Sequence, residues 1–362
     1  MGAAEPNRAT ASAWTGSTVA DFHAAGAPRS DEYPGLAQNG WRAHRTAQTR
    51  DSGYRSGVPT PELGPAAPLA LKQGFFLDGL PSTITGLMRA LPAAASTAVA
   101  AVFLLAGCAT ISGRHATAVD LDAILAGPRP TADRSCDRYR HPVQTLLFFG
   151  LRPTTRAMQV WPRSGYYTRI IAPLVRRHGL FYAALIAPDD SPFLRKRAAA
   201  YRTLLASQPN LYDRVRVVVF PANGGNAVAP GSVNMVLAFG ALHKWLAEGI
   251  AREALTTINR ALVRGGVFGV VDNRADPAAP VDRRARNGYV NQSYAIRLIQ
   301  SYGFRLVATS EVNANPRDTK HYPAGVWTLP PDYRLGALHH RRYRKIGEAD
   351  RFTLKFVKAG NP

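Results

Sequence analysis

His243 follows Asn234–Phe239, a short apolar run that reads as a β-strand. A histidine at the carboxyl end of a buried strand can take a proton from a hydroxyl or amine held beside it. Asp272-Asn273-Arg274 stands in the same relation to a second run, Val267–Val271, and brings a carboxylate to the same rim. His141, in a leading helix, and Tyr289, near the start of a later one, would add two more titratable groups there. Gln159 and Trp161 end the strand Ala157–Trp161, and Arg163 and Gly165 lie in the turn between it and the next predicted helix. Asp189 follows the strand Leu180–Ile186, where Asp190 or Ser191 before Pro192 also reads as an ordinary helix cap. The chain has no HExxH, no G-x-S-x-G and no GxxxxGK[ST], and its histidines form no zinc set, so those chemistries have no carrier.

The elements that must position these residues alternate in period. Helices are predicted over Asp137–Phe149, Tyr167–Arg177, Pro192–Ser207, Ala247–Leu262 and Tyr289–Tyr302. Between them lie the strands already named, with Val215–Phe220 as a further one and Phe304–Ser310 and Phe352–Val357 as a terminal pair. Short apolar strands separated by helices require a sheet covered on both faces. The expected fold is therefore α/β, a doubly wound, mostly parallel seven-stranded sheet. The last two strands lack an intervening helix, which an antiparallel edge strand beside its neighbour would explain. The polar segment 311–331, with Glu311, Asn313, Asn315, Asp318, Lys320, His321 and Trp327, is too long for a tight hairpin and is expected to cover the substrate side of the rim.

Upstream of this domain, Met88–Cys108 reads MRALPAAASTAVAAVFLLAGC: a positive head, an apolar middle and small residues before a cysteine, in the order of a secretory leader. Leu91–Gly107 spans 17 residues and contains Pro92, which suits a membrane-crossing helix poorly. Leu105-Ala106-Gly107-Cys108 resembles the lipobox of bacterial lipoproteins, and the resemblance implies lipidation of Cys108 and residence in the cell envelope, at the periplasmic face of a membrane. Residues 1–87 are rich in Ala, Gly, Pro, Ser, Thr and Arg without a sustained apolar period. They read either as sequence ahead of a start at Met88 or as a disordered extension. The resulting organisation is 1–87 extension, 88–107 signal peptide, 108–132 tether and 133–362 folded domain.

The chain carries 45 basic and 24 acidic residues, a formal charge of +21. Residues 1–107 hold 8 basic and 7 acidic residues, so nearly all of the excess lies beyond them. Such a surface is drawn to an anionic membrane or to envelope polymers. Nucleic acid is the weaker partner, because the basic residues are spread along the chain apart from Arg341, Arg342, Arg344 and Lys345. With Cys108 lipidated, Cys136 stands alone, which leaves no internal disulfide framework and no cysteine-based zinc site.

Five α/β units, the Gly265-Gly266 turn and the terminal strand pair resemble the class I S-adenosylmethionine-dependent methyltransferase fold, a Rossmann-like architecture. Within it the chain is similar to a group of bacterial, often exported, predicted methyltransferases. The matching residues are YRHP at 139–142, VWPRSGYYTRIIAP at 160–173, HKWL at 243–246, LVRGGVFGVVDNRA at 262–275 and GYV at 288–290, followed by EVNANPRDTKHYPAGVWTLPP at 311–331 and IGEADRFTLKFVK at 346–358. The resemblance implies S-adenosylmethionine as cofactor, bound by Gln159, Trp161, Arg163 and Gly165, with Asp189 accepting the ribose hydroxyls and Asp272 at the same rim. It implies His243 as the group that deprotonates an acceptor, assisted by His141 and Tyr289. The acceptor would be a small molecule or an envelope component. Gln159 replaces the usual acidic residue, Arg163 a small one, and Gly240-Ala241 a polar pair. These departures leave a second expectation, a non-catalytic envelope lipoprotein of the same fold that binds a ligand or partner.

Overall fold

The computed structural model describes residues 113–187, 191–221 and 223–360. The extension 1–87, the leader 88–107, Cys108 and Asp189 lie outside the described residues.

The chain begins with α1 (113–126), α2 (Thr131–Arg140) and α3 (Pro142–Phe149), followed by β1 (Arg156–Val160) and α4 (Thr168–Val175). Next come β2 (Leu180–Ile186), α5 (Pro192–Ser207), the single turn α6 (Pro209–Tyr212) and β3 (Val215–Phe220). β4 (Val233–Phe239), α7 (Leu242–Glu248), α8 (Ala251–Ala261) and β5 (Leu262–Asn273) lead to α9 (Gln292–Gln300) and β6 (Phe304–Ser310). A 3₁₀ turn at Gly325–Thr328, α10 (His340–Ile346) and β7 (Arg351–Lys358) complete the fold.

The sheet order is β3-β2-β1-β4-β5-β7-β6. The first five strands in that order are mutually parallel, and β7 runs antiparallel to both β5 and β6. The expected antiparallel strand is thus β7, inserted beside the edge strand β6. The order reverses between β1 and β4, and open α/β sheets form their ligand crevice at such a point, outside the carboxyl ends of the strands.

Alternation along each strand divides the core between the two faces. Met158, Val160, Val236, Phe268 and Leu354 pack with α7, α8 and α9, whereas Ala157, Phe181, Ala183 and Leu237 pack with α3 and α4. Trp245, Phe149, Phe181 and Phe268 are fully buried, each contributing roughly 1.5–3 kcal/mol by removal of apolar surface from water.

Local chemistry moves several predicted boundaries. The helix predicted over Asp137–Phe149 is two helices, because His141 adopts φ 37° before Pro142, and proline disfavours helical geometry in the residue preceding it. The predicted Ala247–Leu262 helix likewise divides: Gly249, at φ 75°, closes α7 before α8 begins. Gly265-Gly266 does not stop a helix but lies inside β5, which begins at Leu262 beside a register irregularity with β4. The expected tether is helical from residue 113, and Leu121, Ile124 and Leu125 join the α3–α4 side of the core, so the domain extends beyond the predicted start at 133.

Candidate functional site

His243 sits in the first turn of α7, just past β4, and is 4% exposed. Its Nδ1 lies 2.7 Å from Oδ1 of Asp272, and its backbone N–H donates to Oδ2 at 3.1 Å. Asp272, near the end of β5, is fully buried and also accepts the Asn273 backbone N–H at 2.8 Å. Burial alone would raise this carboxyl's pKa; the attraction of His243 and the hydrogen bonds from His243 and Asn273 outweigh it and hold the pKa below the usual range. An ionised carboxylate only accepts, so Nδ1 carries a ring proton toward Asp272 and Nε2 is the ring nitrogen left for other partners.

The imidazole borders two adjoining chambers at the carboxyl ends of the strands. The first, of about 320 Å³, is walled by Trp161, Leu185, Ile186, Phe193 and Tyr201, with Arg163, Arg197, Lys244 and Arg334 around it against Glu248 and Asp332. The second, of about 230 Å³, is walled by Tyr167, Phe239, Trp327 and Pro330, with Gln159, Asn273, Asn313, Arg140 and Arg351 as its polar lining. Trp161, Arg163, Gly240, His243 and Trp327 line both.

The turn after β1 holds Trp161 at φ 53° and Arg163 at φ 51°. Left-handed geometry costs a non-glycine residue roughly 1–2 kcal/mol, so this turn keeps strain where it meets the chambers. Gln159, 3% exposed, leaves Oε1 without a partner, and Trp161 leaves Nε1 without one. Gly165 does not line either chamber: a Cβ there would fall 2.3 Å from Leu204 of α5, so its role is close helix packing at φ 82°. Arg163 is exposed and lies over the chambers' shared wall beside Gly240.

Three predicted roles change. Asp272 touches neither chamber and is occupied by His243, which makes it a positioning residue and not a cofactor ligand. Tyr289 is buried away from the chambers, its hydroxyl 3.1 Å from both carboxylate oxygens of Asp318. Burial, followed by the Asp318 charge, drives its phenol pKa well above normal, removing it as an acid or base. His141 lines a separate surface depression with Arg138, Arg317 and Arg344, because its left-handed bend turns it off the rim. The 311–331 segment is partly a wall, through Val326, Trp327 and Pro330, and partly a brace, through Asp318 and Asn315.

Residues missed from sequence include Lys244, whose neighbour His243 was the available signal. Burial first, then Arg163 and Arg197, lower its amine to about 8 against the pull of Glu248 and Asp332. Arg140 and Arg351 were also missed. Both bind Glu348, at 2.9 Å and 2.7 Å, across a sequence gap of 208 residues for Arg140, which no local spacing can reveal. Among the described residues no group of His, Cys, Asp or Glu is arranged to hold a metal ion.

No family model matches the chain and no curated protein matches it. Solved structures do. A SAM-dependent methyltransferase from Aquifex aeolicus is 14% identical over 63% of this chain and 95% of its own, with a TM-score of 0.43. The [4+2]-cyclase SpnF is 15% identical over 70% and 96% respectively, with a TM-score of 0.43. The glycopeptide N-methyltransferase MtfA is 14% identical over 61% and 90%, with a TM-score of 0.40. The strand order with antiparallel β7 decides the architecture. This is a doubly wound, Rossmann-like sheet, the architecture that the resemblance implied. Fold alone assigns no chemistry, which has to come from the residues at the rim.

Proposed function

We propose that the protein is an S-adenosylmethionine-dependent methyltransferase in which His243, held by Asp272, deprotonates the acceptor. The observation that carries this reading is the pair itself: a buried carboxylate fixes the tautomer of a histidine that borders both chambers at the sheet's switch point. The cofactor fits the residues present. Arg163 and the unpartnered Nε1–H of Trp161, both on the wall the chambers share, offer donors for a carboxylate, and Leu185, Ile186 and Phe193 offer apolar walls for an adenosyl group. When bound, the cofactor supplies an electrophilic methyl group. Nε2 of His243 takes the proton of an acceptor hydroxyl or amine, and Asp272 stabilises the imidazolium so formed. Trp161, Tyr167 and Trp327 exclude water from that exchange.

Calorimetric titration of the full chain with S-adenosylhomocysteine tests the reading. Micromolar binding is expected. A folded protein that binds neither this ligand nor S-adenosylmethionine is instead the non-catalytic ligand-binding version of the fold. With an acceptor in hand, His243→Asn keeps a donor toward Asp272 and should lower turnover about 10²–10⁴-fold.

We also propose a lipid anchor at Cys108 at the periplasmic face of a bacterial membrane. The leader motif supports it, as does the exposed cluster Arg341, Arg342, Arg344 and Lys345 on α10, which suits an anionic surface. No helix among the described residues is long and apolar enough to cross a membrane. Lipid labelling should be lost in Cys108→Ala; equal labelling of the two proteins would remove the anchor.

A further inference from the structure

The second chamber differs from the first in carrying a fixed anion-binding geometry. Arg140 on α2 and Arg351 at the start of β7 both line it, and both are clamped to Glu348, which is 2% exposed. Arg140 donates to Glu348 from Nε and Nη2 at distances from 2.9 to 3.2 Å, and its guanidinium lies over the Tyr166 ring at 4.5 Å. Two guanidinium groups therefore share one carboxylate, a net charge of +1 within this cluster, beside Arg163, Arg197 and Asp332, which also line the chamber. Side chains ordered in this way lose little further entropy when they bind an anion, and the N–H groups that Glu348 does not take can meet the oxygens of a carboxylate or phosphate.

The remaining walls describe the rest of the ligand. Tyr167 stacks on Phe239 with centroids 3.6 Å apart and planes at 11°, and Trp327 lies edge-on to His243 at 6.3 Å. A flat body suits this aromatic lining. Asn313 is 2% exposed; its Nδ2 donates to Thr145 and Thr353, which fixes the amide and leaves Oδ1 without a partner. Buried polar atoms are nearly always paired in folded proteins, so this oxygen and Nε1 of Trp161 are available to ligand groups. At about 230 Å³ the chamber is small for a ligand site.

We propose that the second chamber is the acceptor site and that it takes a small, flat molecule bearing a carboxylate or phosphate, with the anion at Arg140 and Arg351 and the hydroxyl or amine toward His243. This rests on the methyltransferase reading for the word acceptor, but the anion site stands on its own geometry.

The test is calorimetry on the full chain with 4-hydroxybenzoate and phenyl phosphate as anionic probes and 4-hydroxybenzamide as the neutral counterpart of the first. At least one anion should bind 10-fold or more tighter than the amide. Arg351→Gln should remove that preference, while Arg351→Lys, which keeps the charge and guards against a folding defect in the first variant, should retain part of it. Affinity of both anions no higher than that of the amide, no binding of either anion, or an unchanged preference in folded Arg351→Gln would overturn the proposal. Anion preference without S-adenosylhomocysteine binding would overturn the methyltransferase reading and leave the anion site in place.

Discussion

The two chambers share His243, Trp161, Trp327, Arg163 and Arg197, and differ in the charged groups that each adds. Around the first, Arg163, Arg197, Lys244 and Arg334 stand among apolar walls, and burial first, then the charges of Arg163 and Arg197, depresses the Lys244 amine. In the second, Arg140 and Arg351 are drawn together by buried Glu348, whose carboxyl is pulled down to about 2 by the two guanidiniums in spite of burial. Arg140 and Arg351, clamped to a carboxylate, are already in place. His243 lies between, and Asp272 clamps it as Glu348 clamps the arginines.

The sharpest way to break this contrast is at the clamp of His243. Asp272→Asn can offer its amide N–H to Nδ1, which reverses the tautomer and puts the proton on Nε2. Methyl transfer should then fall about 10²–10⁴-fold, measured as turnover, with S-adenosylhomocysteine affinity little changed.

Glu348→Gln should show what the second clamp contributes. Removing one member of a buried ion cluster leaves its partners unmatched, and a loss of about 3–5 kcal/mol in denaturant unfolding is expected. The same group sets an acid limit. Because its folded pKa lies near 2, below the unfolded value of about 4.3, it favours folding at higher pH, and that contribution fades as pH falls through this window. Wild-type stability should therefore decline between these values, and Glu348→Gln should flatten the decline.

Gly165→Ala touches the packing beside the first chamber without touching either clamp. The positive φ and the approach of Leu204 predict a loss of about 2 kcal/mol, read from chemical denaturation. The smallest effect is expected at Lys244. An amine at about 8 when folded and near 10.4 when unfolded binds fewer protons in the folded state between those values, so stability should rise with pH across them. Lys244→Met should lose that rise.

The strands at Leu180–Ile186 and Val215–Phe220 and the helix Pro192–Ser207 were legible in full, because each is a local apolar or capped segment bounded by turn residues. His243 was legible as a rim residue for the same reason, since it directly follows a recognisable strand. Its bond to Asp272 was not, and neither were the broken helices, where one left-handed residue at 141 or 249 outweighed a continuous apolar period.

By itself, then, the sequence determined the alternation of strand and helix, the fold class and the turn that carries Trp161 and Arg163, all of which follow from periodicity and neighbouring residues. The tertiary structure decided which titratable groups meet. Tyr289 went to Asp318 and His141 to a separate depression, while Asp272 met His243 and two arginines met Glu348. Those pairings depend on where the strands end in space and on which charges must be matched once buried, and chain spacing specifies neither.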